Sequence, residues 1–581
     1  MSPYFALLKD YCDTLVRTQI LGDDPHFHGG VPCPACHLLH GRVVDTVYPL
    51  TLVYHRTGEE KYLTAAVAAV DFAEQNLSRR RGEYRNDALS PWEGPTVFAS
   101  VALGETLFYH AVCLPSAIRE KWESVYARIT EFVRVRFFEA DFHPNVNYHA
   151  AMAAAMALGY RLLGKEVYKT AAYRAAEFVK GHFTQNLILT GEGNGITEKG
   201  LRAVDIGYNL EESLPSLTLF AHFLEDTDWT AFVKEAWHAH LDFFLPDGGI
   251  NNSFGSRHYK WTYYGSRTSD GCQSGLALLA KEDPLLAEAA ERNFRLLVAC
   301  TDKGYLYGGP MYAEAEENPC VHHLIAHAKA VAALVEHDFS HEKRVALPGD
   351  ETYGLRYFED LDLAMVAVGE IRATVSAYDY AVRPEAALGG GSPTLLYHTG
   401  YGPVFASTMP RYTRFEELNM QLSRTYDKIE CGTVRIEQGS LSSLYALDAI
   451  FTKKAESGAV FLRAEGRLQD LRRREKGAAY TLSYSFTHEG MTMTALCEED
   501  ATFYLPTVCP MTATLSVKDG DVLCSARETT VSLHTDQNFL CPNKEKRIFN
   551  PVGGFLYADL SLSLTAGKAV TVLLSTKVKT L

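Results

Sequence analysis

The segment GEEKYLTAAVAAVDFAEQNL, residues 58–77, recurs at residues 164–183 as GKEVYKTAAYRAAEFVKGHF. Tyr, Thr and two Ala coincide between the copies, and a further Ala and a Phe follow in step. Weaker copies begin as PSAIREKWESV, DTDWTAFVKEAW and EDPLLAEAAERNF. A unit that recurs every ~50–60 residues indicates helical hairpins that bury one another's apolar faces. The repeat therefore predicts six hairpins closing into an α/α toroid, with the loops of one mouth around a central cleft.

Apolar residues keep helical spacing up to about residue 338, and this spacing predicts helices that begin near residues 3, 44, 61, 96, 116, 147, 167, 212, 228, 271, 284 and 321. Residues 339–354, SHEKRVALPGDETYGL, break the pattern with charge, Pro and Gly and are predicted to be a linker. Beyond it, segments such as AAYTLSYSFTHEGMTMTALCEED alternate apolar and polar residues. We therefore expect a catalytic toroid over residues 1–338 and an antiparallel β-sandwich over residues 355–581.

The composition is that of an acidic globular chain of 581 residues, with 47% apolar residues and a formal net charge of -15. Nucleic acid and anionic membranes are excluded as main partners because the net field repels both. The sequence contains no run of about eighteen apolar residues, so no membrane-spanning helix is expected. MSPYFALLKDYCDTLVRTQI lacks the uninterrupted apolar core of an export signal, so a cytoplasmic protein with reduced cysteines is expected. A homodimer is expected from the general frequency of symmetric enzymes.

The stretch HFHGGVPCPACHLLHGR, residues 26–42, contains Cys33, Cys36 and His37 in the order of a haem attachment motif. Haem attachment belongs to exported proteins and does not fit. A zinc ion held by Cys33, Cys36 and His26, His37 or His40 is a second interpretation, but no second C-x-x-C follows. Two buried thiols beside a tight turn are favoured over a metal site. His40 and Arg42 at the end of the stretch offer a titratable imidazole and a clamp for a carboxylate.

Two further loops carry polar and aromatic side chains that suit a sugar. Trp92 and Glu93 precede a predicted helix, where Glu93 either binds sugar hydroxyls or favours the helix N-terminus. Asn147, Tyr148 and His149 open an alanine-rich helix that fits the inner ring of a toroid. His149 is either a core histidine or a substrate contact.

Residues 191–275 combine carboxylates, guanidinium groups and aromatic rings in glycine-broken loops, as a carbohydrate site with acid/base chemistry requires. The acidic candidates are Glu211, Glu212 and Asp270. The basic and aromatic candidates are Tyr208, Arg257, His258, Trp261, Tyr263 and Arg267. Adjacent residues do not share a helix face, so one of Glu211 and Glu212 is expected to point into the cleft.

Several blocks in order resemble a known family. They are HGG…CPAC…HGR, W-E-G-x-T-V-F, N-x-N-Y, D-I-G-Y-N-x-E-E-S-x-P and Y-K-W-T-Y-Y-G-S-R-T-S-D-G, and they span residues 28–271. This order is similar to glycoside hydrolase family 154, whose known activity is β-glucuronidase and whose build is a toroid followed by a sandwich. The same build also resembles heparinase II/III-like polysaccharide lyases, which act on uronic acids by β-elimination.

The resemblance implies an enzyme that removes terminal β-linked glucuronic acid from glycans or glucuronide conjugates, with no metal or organic cofactor. Such a hydrolase needs one carboxylic acid and one carboxylate across the scissile bond. Glu211 and Glu212 are the first candidates, with Asp270 as the leading partner and Glu93 in reserve. The expected substrate contacts are His40, Arg42, Trp92, Asn147, Tyr148, His149, Tyr208, Arg257, His258, Trp261, Tyr263 and Arg267.

Two alternatives stay open at this point. In a uronate lyase, Tyr148, His149 or Tyr263 would abstract the proton next to the carboxylate, while arginine, asparagine or protonated histidine neutralises the acid. In a carbohydrate-binding protein without activity, the aromatic residues would matter and the carboxylates would not. A contribution of Glu370 or Arg372 from the β domain is also left open.

Overall fold

The computed structural model describes residues 1–87, 89–193, 195–197, 199–378, 384–386, 388–414, 431–543 and 547–578. Its helices are α1 (Pro3–Thr18), α2 (Val47–Thr57), α3 (Glu60–Phe72), α4 (Thr96–His110), α5 (Ser116–Arg136), α6 (Val146–Leu163), α7 (Glu166–Lys180), α8 (Ile206–Tyr208), α9 (Leu214–Leu224), α10 (Thr227–His240), α11 (Gln273–Leu279), α12 (Pro284–Ala299) and α13 (Val321–Glu336). Each segment predicted to be helical corresponds to a helix that begins within a few residues of the expected position.

The helices form a toroid of inner and outer members. Around the inner ring, α2 contacts α4, α4 contacts α6, α6 contacts α9, α9 contacts α11, α11 contacts α13, and α13 returns to α2. Outside it, each inner helix packs against its hairpin partner, as α6 does against α7 and α13 does against α1. The inner helix α6 is apolar on every side because it is enclosed by neighbours, and its side chains from Val146 to Gly159 are buried apart from Tyr148.

Among the residues that the structure describes, one segment, Thr96–Cys113, is long and apolar enough to cross a membrane by length and composition, and 72% of it is buried inside the fold. It comprises the inner helix α4 and the turn that follows. Burial by neighbouring helices accounts for its apolar character, as it does for α6.

The strands are β1 (Trp261–Thr262), β2 (Gly265–Ser266), β3 (Thr301–Asp302), β4 (Tyr305–Leu306), β5 (Gly354–Phe358), β6 (Leu363–Val368), β7 (Ile371–Ser376), β8 (Ser392–His398), β9 (Gly402–Ala406), β10 (Arg435–Gln438), β11 (Leu441–Ser442), β12 (Ile450–Glu456), β13 (Ala459–Gln469), β14 (Lys476–Thr487), β15 (Gly490–Cys497), β16 (Ala501–Tyr504), β17 (Thr507–Val508), β18 (Thr514–Lys518), β19 (Asp521–Ala526), β20 (Thr529–His534), β21 (Ile548–Asn550), β22 (Phe555–Ala558), β23 (Ser561–Leu564) and β24 (Val570–Val578). The antiparallel C-terminal domain predicted from the sequence is confirmed.

The C-terminal domain consists of a five-stranded sheet in the order β5-β6-β7-β8-β9, a 12-stranded sheet and a small sheet of β17, β22 and β21. Side chains of β6 alternate between the two faces of the five-stranded sheet, and this alternation explains how the sheet packs between the toroid and the 12-stranded sheet. Leu363 and Met365 join the core of the helical domain, whereas Ala364 and Val366 on the other face join the core shared with the 12-stranded sheet. The five-stranded sheet therefore holds the large sheet against the toroid.

Loops at the mouth of the toroid are fixed by this contact. Asn251 donates from Nδ2 to Oγ1 of Thr374 at 2.7 Å, and the Tyr378 hydroxyl donates to the Arg202 carbonyl at 2.8 Å. The β domain thus positions the loops that precede α9 and α11, which carry most of the polar candidates.

Candidate active site

A cleft of about 500 Å³ opens at the mouth of the toroid. Its walls come from the first turn of each inner helix or from the loop before it. The lining residues are Arg42, Asn86, Asp87, Leu89, Ser90, Trp92, Pro95, Phe98, Asn145, Asn147, Tyr148, Tyr208, Glu212, Arg257, Lys260, Thr268 and His322. Seven of the residues singled out from the sequence are among them: Arg42, Trp92, Asn147, Tyr148, Tyr208, Glu212 and Arg257.

Tyr208 stands at the corner of the cleft where the positive charge is concentrated. The guanidinium of Arg257 lies 4.2 Å from the centre of its ring, and the Lys260 ammonium donates to its hydroxyl oxygen at 3.5 Å. The same hydroxyl is hydrogen bonded to that of Thr268. Asp205 fixes the turn, because its carboxylate accepts from the Tyr208 backbone N–H at 3.1 Å as an N-cap. The result is a phenol with one cation at its oxygen and a second over its ring.

Glu211 and Glu212 follow in a π-helical turn, Asn209–Ser213, and they point in different directions. Glu211 is fully buried, and its Oε2 accepts from the Ser266 backbone N–H and the Ser269 hydroxyl at 2.6 Å each. Its Oε1 lies 3.2 Å from Nε2 of His327. Glu211 is therefore a structural anchor for the loop before α11 and does not line the cleft.

Glu212 does line the cleft, and neither of its carboxyl oxygens has a hydrogen-bond partner among the residues that the structure describes. Burial, reinforced by the negative charge of Asp270, raises the pKa of Glu212 well above its ordinary value. A carboxyl group whose pKa is raised in this way holds its proton to higher pH, and in its protonated form Glu212 presents a hydrogen-bond donor to the cleft.

Asp270, the expected catalytic partner, is occupied by two cations. Its Oδ1 accepts from Nη2 of Arg42 at 2.5 Å, and its Oδ2 accepts from the Lys329 ammonium. Burial alone raises the pKa of Asp270, but Arg42 and Lys329 outweigh it and hold that pKa below its ordinary value. Arg42 also donates to Asp45 and lies 4.1 Å from the centre of the Phe98 ring. Asp270 thus positions Arg42 beneath the cleft and is not itself a lining residue.

His322 is a lining residue that the sequence analysis missed. Both of its ring nitrogens lack a hydrogen-bond partner within the described part of the chain. Burial and the nearby His40, Arg42 and Lys260 lower the pKa of His322 well below its ordinary value, so its imidazole is neutral. The doublet His322–His323 at the start of a predicted inner helix was the signal that could have identified it.

Tyr148 and Trp92 form another part of the lining. The Trp92 indole N–H donates to the Tyr148 hydroxyl at 2.8 Å, and the Trp92 ring stacks on Phe142 with the ring centres 5.2 Å apart. Burial raises the pKa of Tyr148, which therefore keeps its proton. Glu93 does not reach the cleft, because its carboxylate accepts from Nε of Arg136 at 3.0 Å.

The three remaining predicted histidines lie outside the lining. His40 packs on His322 with the ring centres 4.5 Å apart, and burial lowers the pKa of His40 to about 4. His149 packs on Phe178 at 4.2 Å, so the core alternative describes it better. His258 is fully buried with Nδ1 3.4 Å from the Gly255 carbonyl.

Three other predicted substrate contacts are also turned away from the cleft. Trp261 donates from Nε1 to the Ile250 carbonyl at 2.8 Å, and the Tyr263 hydroxyl donates to Asp247 at 2.6 Å. Arg267 donates to the Tyr312 hydroxyl at 2.8 Å and to the Pro551 carbonyl. Arg267 thus reaches the β domain, and the rings of Trp261 and Tyr263 contact Phe555 of that domain, with ring centres 5.7 and 5.2 Å away. The sequence pattern did not reveal this joining role.

The sequence left open a zinc site at the cysteines and a contribution from the β domain. Neither alternative adds a side chain to the described lining of the cleft. The Cys33 and Cys320 sulfur atoms lie 3.9 Å apart, and no group of three or more described His, Cys, Asp or Glu side chains is arranged to hold a metal ion. Arg372 donates to the Gly349 carbonyl at 2.6 Å, and Glu370 lies 3.1 Å from Nε2 of His398.

Two family models match the chain. The ulvan lyase N-terminal domain matches residues 8–349, and the ulvan lyase C-terminal domain matches residues 355–578. The chain belongs to the ulvan lyase family. A broad-specificity ulvan lyase of Formosa agariphila is 35% identical over 535 residues, which are 87% of this chain and 82% of that protein.

Solved structures agree with the fold. Heparinase III matches with a TM-score of 0.56 at 10% identity, over 91% of this chain and 75% of that one. A mutant of the heparan sulfate lyase HepC from Pedobacter heparinus matches with a TM-score of 0.52 at 10% identity, over 93% and 76%. At this identity the likeness shows a shared architecture of toroid and β domain, and nothing about substrate.

The membership corrects the family and the activity predicted from the sequence. The assignment to glycoside hydrolase family 154 is wrong, and so is the β-glucuronidase reaction drawn from it, because both domains match a family of lyases. The error has a physical source. A hydrolase and a lyase for uronates both need cations and aromatic rings around the sugar, so these residue types did not separate the two reactions.

Proposed function

We propose that this protein is a polysaccharide lyase that cleaves an anionic, uronate-containing polysaccharide of the ulvan type by β-elimination. One observation carries the proposal: the cleft holds a phenol beside two cations, and of the two carboxyl groups in its described lining, Glu212 and Asp87, only Glu212 is without a partner. The Asp87 carboxylate is held by the Leu89 and Ser90 backbone N–H groups at 2.7 and 2.8 Å, so the described lining lacks the two available carboxyl groups that hydrolysis needs. Of Glu93, Glu211, Glu212 and Asp270, only Glu212 lines the cleft. Glu93 is bound by Arg136, and Glu211 is bound by the Ser266 loop. Asp270 is bound by Arg42 and Lys329.

The reaction first requires that a C–H proton of the sugar become acidic enough to be removed. The proton to be removed lies on the carbon next to the uronate carboxylate, and its removal puts negative charge on that carboxylate. The neutral imidazole of His322 and the protonated form of Glu212 can each donate a hydrogen bond to it. Arg42 and Lys260 add positive charge from the lining of the same cleft. Together they stabilise the carbanion.

Tyr208 is placed to take the proton, because Lys260 and Arg257 stabilise the negative charge of a phenolate. Tyr148 is the candidate acid, since it retains its proton and lines the same cleft as Tyr208. In the step, the C–H electrons form a double bond in the sugar ring and the bond to the leaving oxygen breaks. That oxygen receives the proton from Tyr148. Solvent then returns both tyrosines to their starting states.

The test is incubation of the protein with ulvan, followed by analysis of the new chain ends. A lyase produces an unsaturated sugar that absorbs in the near ultraviolet, whereas hydrolysis leaves a saturated uronic acid. Tyr208→Phe should lower kcat by about 10²–10⁴-fold with little change in KM, as loss of a proton-transfer group does. Tyr263→Phe is the matched control, because that hydroxyl binds Asp247 outside the cleft. A saturated product, or Tyr208→Phe with kcat within about threefold of wild type, contradicts the proposal.

The finer architecture belongs to the same proposal. We infer that the ring contains six complete hairpins, that the two larger sheets form a sandwich, and that the domains meet between residues 338 and 355. The matches to separate N- and C-terminal domains support this division. The cytoplasmic location and the homodimer stay predictions from the sequence.

A further inference from the structure

Glu192 is a buried carboxylate that does not line the cleft but contacts two residues that do. Its side chain is fully enclosed. Oε1 accepts from the Asn147 backbone N–H at 2.9 Å, and Oε2 accepts from Nη2 of Arg257. The sequence analysis did not name it, although it lies within residues 191–275.

The contact with Asn147 acts as a helix cap supplied from another part of the chain. Asn145 is the N-cap residue of α6 but makes no side-chain capping bond. A helix start leaves backbone N–H groups without partners, and a carboxylate there is stabilised by the helix dipole. Glu192 therefore fixes the first turn of α6, from which Asn147 and Tyr148 enter the cleft.

The contact with Arg257 sets the environment of Tyr208. Arg257 is held at one edge by Glu192, with its Nε 3.6 Å from Oδ2 of Asp205, and its plane lies against the Tyr208 ring at 4.2 Å. An arginine held in this way has its position decided by the carboxylates behind it. Without Glu192, the guanidinium would keep only the weaker contact with Asp205 and the ring.

Glu192 also controls how much positive charge Arg257 presents. The charged and titratable groups that act on it are Arg257, Asp205 and Glu212. Burial raises the pKa of Glu192 to about 7, with Asp205 adding to the rise while Arg257 and the Asn147 N–H oppose it. The ionised carboxylate cancels the charge of Arg257, whereas the protonated form leaves that charge available to an anionic sugar.

We propose that Glu192 is a positioning residue that orders Asn147 and Arg257 together and sets the positive charge that the cleft offers to a uronate. The inference rests on the proposed function, because it takes the substrate to be an anionic polysaccharide. It does not depend on which tyrosine transfers the proton.

The test compares the pH dependence of KM for ulvan in wild type and in Glu192→Gln. In the wild type, KM should rise about tenfold between about pH 6 and about pH 8 as Glu192 ionises and cancels Arg257. In Glu192→Gln, KM at about pH 8 should stay within about twofold of KM at about pH 6, and kcat at pH 6 should stay within about fivefold of wild type. Glu288→Gln is the matched control, since Glu288 pairs with Arg292 at 2.6 Å in another buried ion pair, and neither residue lines the cleft. Its KM profile should follow the wild type.

The outcomes are distinguishable. If the wild type forms no unsaturated product from ulvan, the proposed function fails and this inference fails with it. If the wild type is active but Glu192→Gln keeps the wild-type rise in KM, only the role of Glu192 is overturned. A rise that disappears equally in Glu288→Gln would also overturn it, because the effect would then follow from any lost buried carboxylate.

Discussion

Asp270→Asn tests whether this carboxylate holds the site together or carries out chemistry. Asp270 has 11% of its side chain exposed, and its partners Arg42 and Lys329 have 5% each. With Asp45, they form a buried cluster of two positive and two negative groups. The substitution keeps the shape of the side chain but leaves two cations facing one carboxylate. Removing one partner from a buried ion pair typically costs about 3–5 kcal/mol.

The protonation state of Glu212 determines where in this range the loss of stability in Asp270→Asn falls. The negative charge of Asp270 is one cause of the raised pKa of Glu212. When that charge is removed, the pKa of Glu212 falls, and its ionised carboxylate replaces part of the lost charge. We therefore expect a loss of about 3 kcal/mol near pH 7 and a larger loss in acid, where Glu212 stays protonated.

Tryptophan fluorescence during urea unfolding is the assay. The five tryptophans of the chain all lie between residues 92 and 261, so their signal reports on the helical domain. The double variant Asp270→Asn with Lys329→Gln restores the balance of charge, because Arg42 then faces Asp45 alone. It should be more stable than Asp270→Asn by about 1 kcal/mol or more.

Two results would refute this reasoning. One is Asp270→Asn with a free energy of unfolding within about 0.5 kcal/mol of wild type but no turnover, which would restore Asp270 as a catalytic group. The other is a double variant no more stable than the single one, which would show that Lys329 and Asp270 are not coupled.

Two further predictions concern buried carboxylates. Burial raises the pKa of Glu105 to about 8, so the folded state binds an extra proton and its stability should fall as pH rises from about 5 to about 8. Glu105→Gln should flatten this fall in urea titrations, and an unchanged slope would contradict the assignment. A Cβ at Gly265 would lie 1.9 Å from Cδ of Glu211, so Gly265→Ala should break the bonds to Ser266 and Ser269 and cost ~2 kcal/mol or more. Gly22→Ala, with nothing within 4 Å of the new carbon, should be neutral in the same assay, and equal losses would refute the argument.

The sequence predicted which residue types lie near the site, but it predicted only part of their arrangement. Loops rich in tyrosine, arginine and acids were correctly located at the mouth of a helical ring, as the lining shows for Tyr208, Arg257 and Glu212. Their orientations were not predictable. Glu211 and Glu212 are adjacent in sequence, and the packing of the Ser266 loop against Glu211 leaves Glu212 to face the cleft.

The sequence by itself determined the helices, the strands and the order of the two domains, because these follow from local periodicity along the backbone. The tertiary structure decided which charges meet. Arg42 and Asp270 are separated by 228 positions, and Glu192 reaches Arg257 across 65. Such pairs form only when the ring closes and water is excluded, so their pKa values and their roles depend on burial that no local pattern records.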